Sequence, residues 1–347
     1  MSTDGIAPIA WHESEDFPPK PGNTPLCAIA LKLEETTHVV HLKMESMNPT
    51  GSVKDRTGYG LVLDLEKRGH IERGGILIES TSGNLGVALA FLCAQRHYRF
   101  IAVVDPKTTT ENLTRMRELG ACIEMVEHPD ETGGYLFSRL ERVQTLLRRY
   151  PQAVWTNQYE NLANPLIHYQ TTAPEIYAQM HGRVDAIFVA VSTGGTLAGI
   201  ARYFREVSPA TRIIAVDARG SVVFGGAPGP RKLTGIGSSR PSSFLSADLY
   251  DAFLLVTDEE AFVFCRWLEK LTDLKVGGSS GATLAACARY LANHPQTRHV
   301  VCMCADRGEH YASSIYSDLW LQKQGLKLTG DRLGPVHSIT LLKKGVP

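Results

Sequence analysis

Gly75-Ile76-Leu77-Ile78-Glu79-Ser80-Thr81-Ser82-Gly83-Asn84-Leu85-Gly86-Val87-Ala88-Leu89-Ala90 holds a short apolar run, a turn of hydroxyls and glycine, and a longer run of small and apolar residues. The first part is the pattern of a buried strand and the last that of a helix. The same alternation continues outward: 100–105 then 111–119, and 121–126 then 134–149. A second series runs through 185–191 then 196–206, 212–217, 252–256 then 259–271, and 281–292 before a final strand over 299–305. Strands alternating with helices of this length predict parallel β-α-β units with right-handed crossovers. The fold class expected is therefore α/β, with two open, twisted, mostly parallel sheets in two lobes. Between residues 220 and 246 lies a Gly/Pro/Ser-rich stretch too long for an ordinary connection, and such loops are more often functional than idle.

With 347 residues, 43% hydrophobic and 21% charged, the chain has the composition of a globular protein able to bury a site. Thirty-six basic residues balance 36 acidic ones, so no whole-chain field recruits nucleic acid or an anionic membrane. Small molecules are the expected partners. The stretch 1–18 carries Asp4, Glu13, Glu15 and Asp16 and no apolar run, which argues against a signal peptide, and no stretch reaches the roughly 18 apolar residues of a membrane span. A cytoplasmic location is the expectation. Cys27, Cys93, Cys122, Cys265, Cys287, Cys302 and Cys304 are scattered and lack zinc spacing, so they are read as reduced and structural, with no metal site.

Four turns carry chemistry. Asn48-Pro49-Thr50-Gly51-Ser52-Val53-Lys54 presents one lysine at the head of a helix. That lysine is either a solvated cation, on the wrong side of the helix dipole, or an amine for a Schiff base, a use that suits lysine because its pKa falls on burial. Ser80 to Gly86 can grip a carboxylate at a helix N-terminus or can be an ordinary capped turn. Ser192-Thr193-Gly194-Gly195-Thr196, between a buried strand and a helix, is a phosphate cradle built without a cation. Its glycine spacing fits neither a Walker loop nor a dinucleotide fingerprint, although Asp217 at the end of the next strand keeps a nucleotide-binding reading open. Gly277-Gly278-Ser279-Ser280-Gly281-Ala282 again precedes a helix and alone reads as a plain N-cap.

Taken together and in this order, the four turns resemble the cysteine synthase-like family of fold type II pyridoxal-phosphate enzymes, over about residues 20–325. The resemblance implies pyridoxal 5′-phosphate in the cleft between a larger lobe, 1–47 plus 155–347, and a smaller, mobile lobe, 48–154. It implies Lys54 as the Schiff-base lysine and catalytic base, and Asn84 as the group bonded to the cofactor 3′-oxygen. Ser192, Thr193, Gly194, Gly195 and Thr196 become the phosphate loop, and Ser279 the partner of the ring nitrogen. Thr81, Ser82 and Gln158 become the substrate-carboxylate contacts. A neutral serine facing the ring nitrogen favours expulsion of a β-substituent over transamination, so the reaction implied is β-replacement through an aminoacrylate. A homodimer is also implied, with apolar residues near Trp320 and Leu321 offered as its surface.

Three departures from the cysteine synthase pattern, Leu85, Ser192 and Tyr159, would reshape the pocket, and the added hydroxyls of Ser192 and Tyr159 suit a larger polar second substrate or a different leaving group, with neutral drift as the alternative. Residues 79–90, 103–107, 124–127, 133–135, 216–221, 306–308 and 316–318 resemble a siderophore-pathway branch. That branch joins O-phospho-L-serine to the amine of L-glutamate on the way to 2,3-diaminopropionate. Phosphate and glutamate carboxylates need cationic partners, for which Arg240 is the candidate and Lys107 a weaker second. A sulfide-using cysteine synthase, a nucleotide-binding oxidoreductase and a non-catalytic relative stay open as alternatives. No histidine falls in a matched motif, and the tail after Gly325 reads as a surface extension.

Overall fold

The computed structural model describes residues 20–131, 133–326, 328 and 335–343; the reading of 1–18 lies outside them. A hairpin comes first, β1 (Leu26–Leu33) and β2 (Thr36–Met44), followed by α1 (Lys54–Lys67). Then come β3 (Ile76–Ser80), α2 (Asn84–Arg96), β4 (Arg99–Val104), α3 (Thr110–Glu118), β5 (Cys122–Met125), α4 (Leu136–Arg149) and β6 (Ala153–Trp155). The chain continues through α5 (Ala163–Ile167), a π turn (His168–Thr172) and α6 (Ala173–Gln179), then β7 (Ala186–Ala190), α7 (Gly195–Val207), β8 (Arg212–Ala218) and β9 (Ala252–Val256). It closes with α8 (Asp258–Thr272), α9 (Gly278–Asn293), β10 (Val300–Cys304), α10 (Asp318–Lys323) and β11 (Val336–Lys343).

Two sheets form, of four strands in the order β5-β4-β3-β6 and of seven in the order β11-β1-β2-β10-β7-β8-β9. The smaller is parallel throughout, and the larger is parallel from β2 to β9. Strand periodicity divides the larger core. Phe188 and Ile214 pack on one face beneath α8 and α9, while Ile187 and Ile213 pack on the other with α6 and α7. Residues 219–251 hold no regular element, as the composition of 220–246 predicts. The β1-β2 hairpin has no Asn-Gly signal, because its two-residue turn is Glu34-Glu35 with Glu34 at φ +49°.

One expectation is corrected and one made specific. The tail is not a surface extension: β11 adds an antiparallel edge strand beside β1 and buries Val336 and Ile339. Trp320 and Leu321 pack against the core of the larger sheet, and the exposed apolar residue of that helix is Leu319.

Candidate active site

Lys54 opens α1 from a turn with few alternatives. Gly51 sits at φ +90°, where an added Cβ would lie 2.9 Å from Arg307 Cδ. The Asp55 carboxylate accepts the N–H groups of Thr50 (3.0 Å) and Ser52 (3.1 Å). Val53 N–H donates to Ala305 O at 2.7 Å, and Arg307 N–H to Gly51 O at 3.2 Å, so the turn is pinned to the end of β10. The lysine is half-buried and not on an open surface. It lines a cleft with Ser192, Thr193, Gly194, Thr196 and Ala305, and burial pushes its pKa down against the opposing charge of Asp306.

The opposite wall is the start of α7. Gly194 caps it in the left-handed region, φ +92°, with no side-chain cap. A Cβ at Gly194 would meet Ser242 Oγ at 2.2 Å, and one at Gly195 would meet Asn164 Oδ1 at 2.1 Å. The first-turn N–H groups have no intrahelical acceptor and sit at a wall where Thr193 and Thr196 also present hydroxyls. Ser192 differs, since its hydroxyl donates to Gly237 O at 3.2 Å and ties the 219–251 segment to the cleft. A donor-rich cradle whose glycines are needed for close packing against Ser242 and Asn164, facing a half-buried lysine, fits a phosphorylated aldehyde. Ser279 lies in the first turn of α9, 2% exposed, and its hydroxyl has no partner among the described residues. No side chain caps that helix. Its neighbour Ser280 accepts Ala305 N–H at 3.1 Å, which sets the turn against the cleft wall.

Of the two readings of the Ser80–Gly86 loop, the capped turn describes Thr81. Thr81 Oγ1 accepts Gly86 N–H at 2.9 Å and caps α2, while Ser82 is half-buried. Asn84 Nδ2 donates to Asp306 Oδ2 at 2.7 Å and bridges the smaller sheet to the larger. Gln158 reaches the loop through Nε2 to Ser80 O at 2.9 Å, held there by its N–H to Glu79 Oε2 at 3.1 Å. Tyr159 follows, with the Arg240 guanidinium 5.5 Å from its ring centroid. Arg240 is already paired with Glu160 at 3.0 Å. Lys107 lies 5.3 Å from the Tyr135 ring centroid.

Several residues escaped the sequence. Arg139 on α4 is 8% exposed, and its Nε and Nη1 have no hydrogen-bond partner among the described residues. Its guanidinium is 3.4 Å from the Asp105 carboxylate, and its charge favours the ionised form of Tyr159 against the effect of burial. On an amphipathic helix its spacing resembles that of a solvated arginine, so no signal marked it. Asp306 stood in a matched stretch without a role; it is buried beside Lys54, accepts from Asn84 and Tyr311, and keeps Oδ1 unpaired. Asn164 and His168 lie behind the threonines of the cradle. Asp217 is fully buried, accepts Ala218 N–H at 2.8 Å, and burial raises its pKa to about 6.

A family model described as pyridoxal-phosphate dependent enzyme matches residues 18–306. The N-(2-amino-2-carboxyethyl)-L-glutamate synthase of Ralstonia nicotianae is 43% identical over 302 residues, 87% of this chain and 89% of that protein. The protein of the same name in Cupriavidus metallidurans is 40% identical, over 94% of this chain and 96% of its own length. Among solved structures, an O-acetylserine dependent cystathionine beta-synthase from Helicobacter pylori superposes with a TM-score of 0.78 at 34% identity, covering 86% of this chain and 97% of that one. An O-ureido-L-serine synthase superposes with the same TM-score at 30% identity, covering 90% and 96%.

Proposed function

The chain belongs to the family of pyridoxal-phosphate-dependent enzymes, and from that membership we propose that it joins O-phospho-L-serine and L-glutamate into N-(2-amino-2-carboxyethyl)-L-glutamate and phosphate by β-replacement. The observation that carries the reading is the 43% and 40% identity, over most of the chain, to two proteins of that name. Bound pyridoxal phosphate supplies an aldehyde for amines and an electron sink for the amino acid's Cα. Lys54 holds the cofactor and, with its pKa lowered by burial, takes the α-proton of phosphoserine and returns it at the end. Thr193, Gly194, Gly195 and Thr196 hold the cofactor phosphate, with Ser192 fixing the neighbouring segment. Asn84 meets the 3′-oxygen, and Ser279, a neutral hydroxyl, faces the ring nitrogen.

Ser82, Gln158 and the N–H groups of the loop that Thr81 caps bind the substrate carboxylate. Arg139 serves the leaving phosphate or a glutamate carboxylate, because its buried Nη1 has no hydrogen-bond partner and its Nε only a 3.4 Å ion pair with Asp105, so that a closer acceptor would satisfy both. Arg240, matched with Glu160, acts at the rim through Tyr159. The smaller sheet with α1 to α4 moves as a lid over the cleft. The wider setting is part of the same reading: a homodimer, a cytoplasmic location in keeping with six buried free thiols, and 2,3-diaminopropionate biosynthesis for a siderophore.

The test is to supply the purified, yellow protein with O-phospho-L-serine and L-glutamate, and separately with O-acetylserine and sulfide. Faster turnover of the first pair, with colour and activity lost in Lys54→Ala, supports the proposal. Faster turnover of the second makes the protein a cysteine synthase.

A further inference from the structure

Behind the cradle lies a chain of buried polar side chains whose hydrogens can be assigned one after another. Asn164, 1% exposed, donates from Nδ2 to Gln158 O at 2.8 Å and to Thr193 Oγ1 at 3.2 Å. A carbonyl only accepts, so the amide orientation is fixed and Asn164 Oδ1 is the acceptor facing Thr57 Oγ1, 3.5 Å away. A Thr57 hydrogen directed to that oxygen leaves its own oxygen to accept from His168 Nε2 at 3.2 Å. That arrangement puts the ring proton on His168 Nε2, where Thr196 Oγ1 also lies at 3.2 Å. On the far side of the ring, Nδ1 accepts from Thr172 Oγ1 at 2.9 Å.

Burial, with help from the Arg56 charge, brings the imidazole pKa down to about 3, so the ring holds one proton. The local fold supports this placement. His168 begins the π turn, a feature frequent at functional sites. A Cβ on Gly199 of α7 would fall 2.2 Å from Pro165 O and 2.7 Å from His168 Cβ, so only glycine there lets α7 approach.

We propose that Asn164 and His168 are positioning residues that set the hydrogen-bond polarity of the cradle. Each donates to the oxygen of a cleft threonine, Asn164 to Thr193 and His168 to Thr196, so both threonine hydrogens are free to be donated into the cleft. A wall of donors with no competing acceptor suits the acceptor-only dianion of a phosphate monoester. This rests on the reading of residues 192–196 as the cofactor-phosphate site.

The experiment is pyridoxal phosphate titration of the apoprotein, with ¹⁵N NMR of histidine-labelled holoenzyme. Glutamine places an N–H where His168 Nε2 lies, and asparagine places one where Nδ1 lies. His168→Gln is expected to bind within about threefold of the parent, while His168→Asn and His168→Leu bind about tenfold more weakly, the loss of one hydrogen bond. The parent spectrum is expected to show a neutral ring protonated at Nε2. A proton at Nδ1, or His168→Asn binding as well as His168→Gln, overturns the proposal; the NMR result on the parent decides even if the variants do not fold. Thr196→Val separates the two levels. If it leaves cofactor binding unchanged, the phosphate site is elsewhere and this proposal goes with it. If it weakens binding and His168→Leu does not, only the polarity assignment fails.

Discussion

At the scale of single residues, the site depends on side chains that leave no alternative geometry. Gly195→Ala would set a methyl 2.1 Å from Asn164 Oδ1 and displace an amide that also bonds Gln158 O and Thr193. We expect a loss of about 1–3 kcal/mol in stability and weaker cofactor binding, read by urea denaturation and by titration with pyridoxal phosphate. Arg139→Gln should raise KM for phosphoserine or glutamate about tenfold or more, the scale of a charged hydrogen bond, while the cofactor dissociation constant stays near that of the parent. An equal rise in the cofactor constant would place Arg139 in the cofactor site instead. Lys54, Asn84, Gly194 and Gly195 are picked out in the sequence by the family resemblance of the four turns taken together, since the lysine turn and the Asn84 loop taken alone also read as ordinary helix starts. Arg139 is not, because only its neighbours bury it and leave its Nη1 without a hydrogen bond.

At the scale of elements, the parallel units were legible because strand and helix alternate with different hydrophobic periods. The hairpin and β11 were not, since an edge strand is defined by the partner it finds; β11 lies more than 300 residues from β1 in sequence. Local signals do hold where both partners are adjacent in the chain. Thr257 and Glu260 form a reciprocal cap at the start of α8. Thr257→Ala should cost about 1 kcal/mol, seen as a lower melting temperature with unchanged kcat, because α8 does not line the cleft. A fall in kcat would show that α8 is coupled to the site.

At the scale of the whole molecule, a buried ion cluster joins distant parts of the chain. Arg56 of α1 bonds Glu45 after β2 and Glu175 of α6, each through two nitrogen–oxygen contacts of 2.7–2.8 Å. Arg56→Met would take from buried Glu45 its paired cation and leave it Thr24, Asn48 and the more distant charge of Lys43, and we expect a loss of about 3–5 kcal/mol on urea denaturation. Acid should act in two stages. Burial lowers the pKa of His168 to about 3 and that of His310 to about 4, so their contribution is present above the unfolded value of 6.5 and lost on acidification. Burial raises Asp55 and Asp217 to about 6, and they contribute in the opposite sense, gaining as pH falls from 6 toward 3.8. Glu45, held at about 2 by Arg56 despite its burial, loses its contribution below 4.5. Stability should thus be nearly flat from pH 6 to about 4 and fall below pH 4, with a shallower fall in His168→Gln; a steep slope between pH 6 and 4 would contradict these assignments.

The sequence by itself determined the α/β alternation, the four glycine- and hydroxyl-bearing turns, and through them the pyridoxal-phosphate family. Those features depend on contacts between residues a few positions apart, which composition and spacing report directly. Only the tertiary structure decided which buried polar groups lie around the site: Asp306 near Lys54, Asn164 and His168 behind the threonines, and Arg139 near Tyr159. His168 and Thr57 are 111 residues apart, and Asn84 and Asp306 are 222 apart. At such separations the partner of a polar side chain is set by how the two sheets pack, and no local pattern records it.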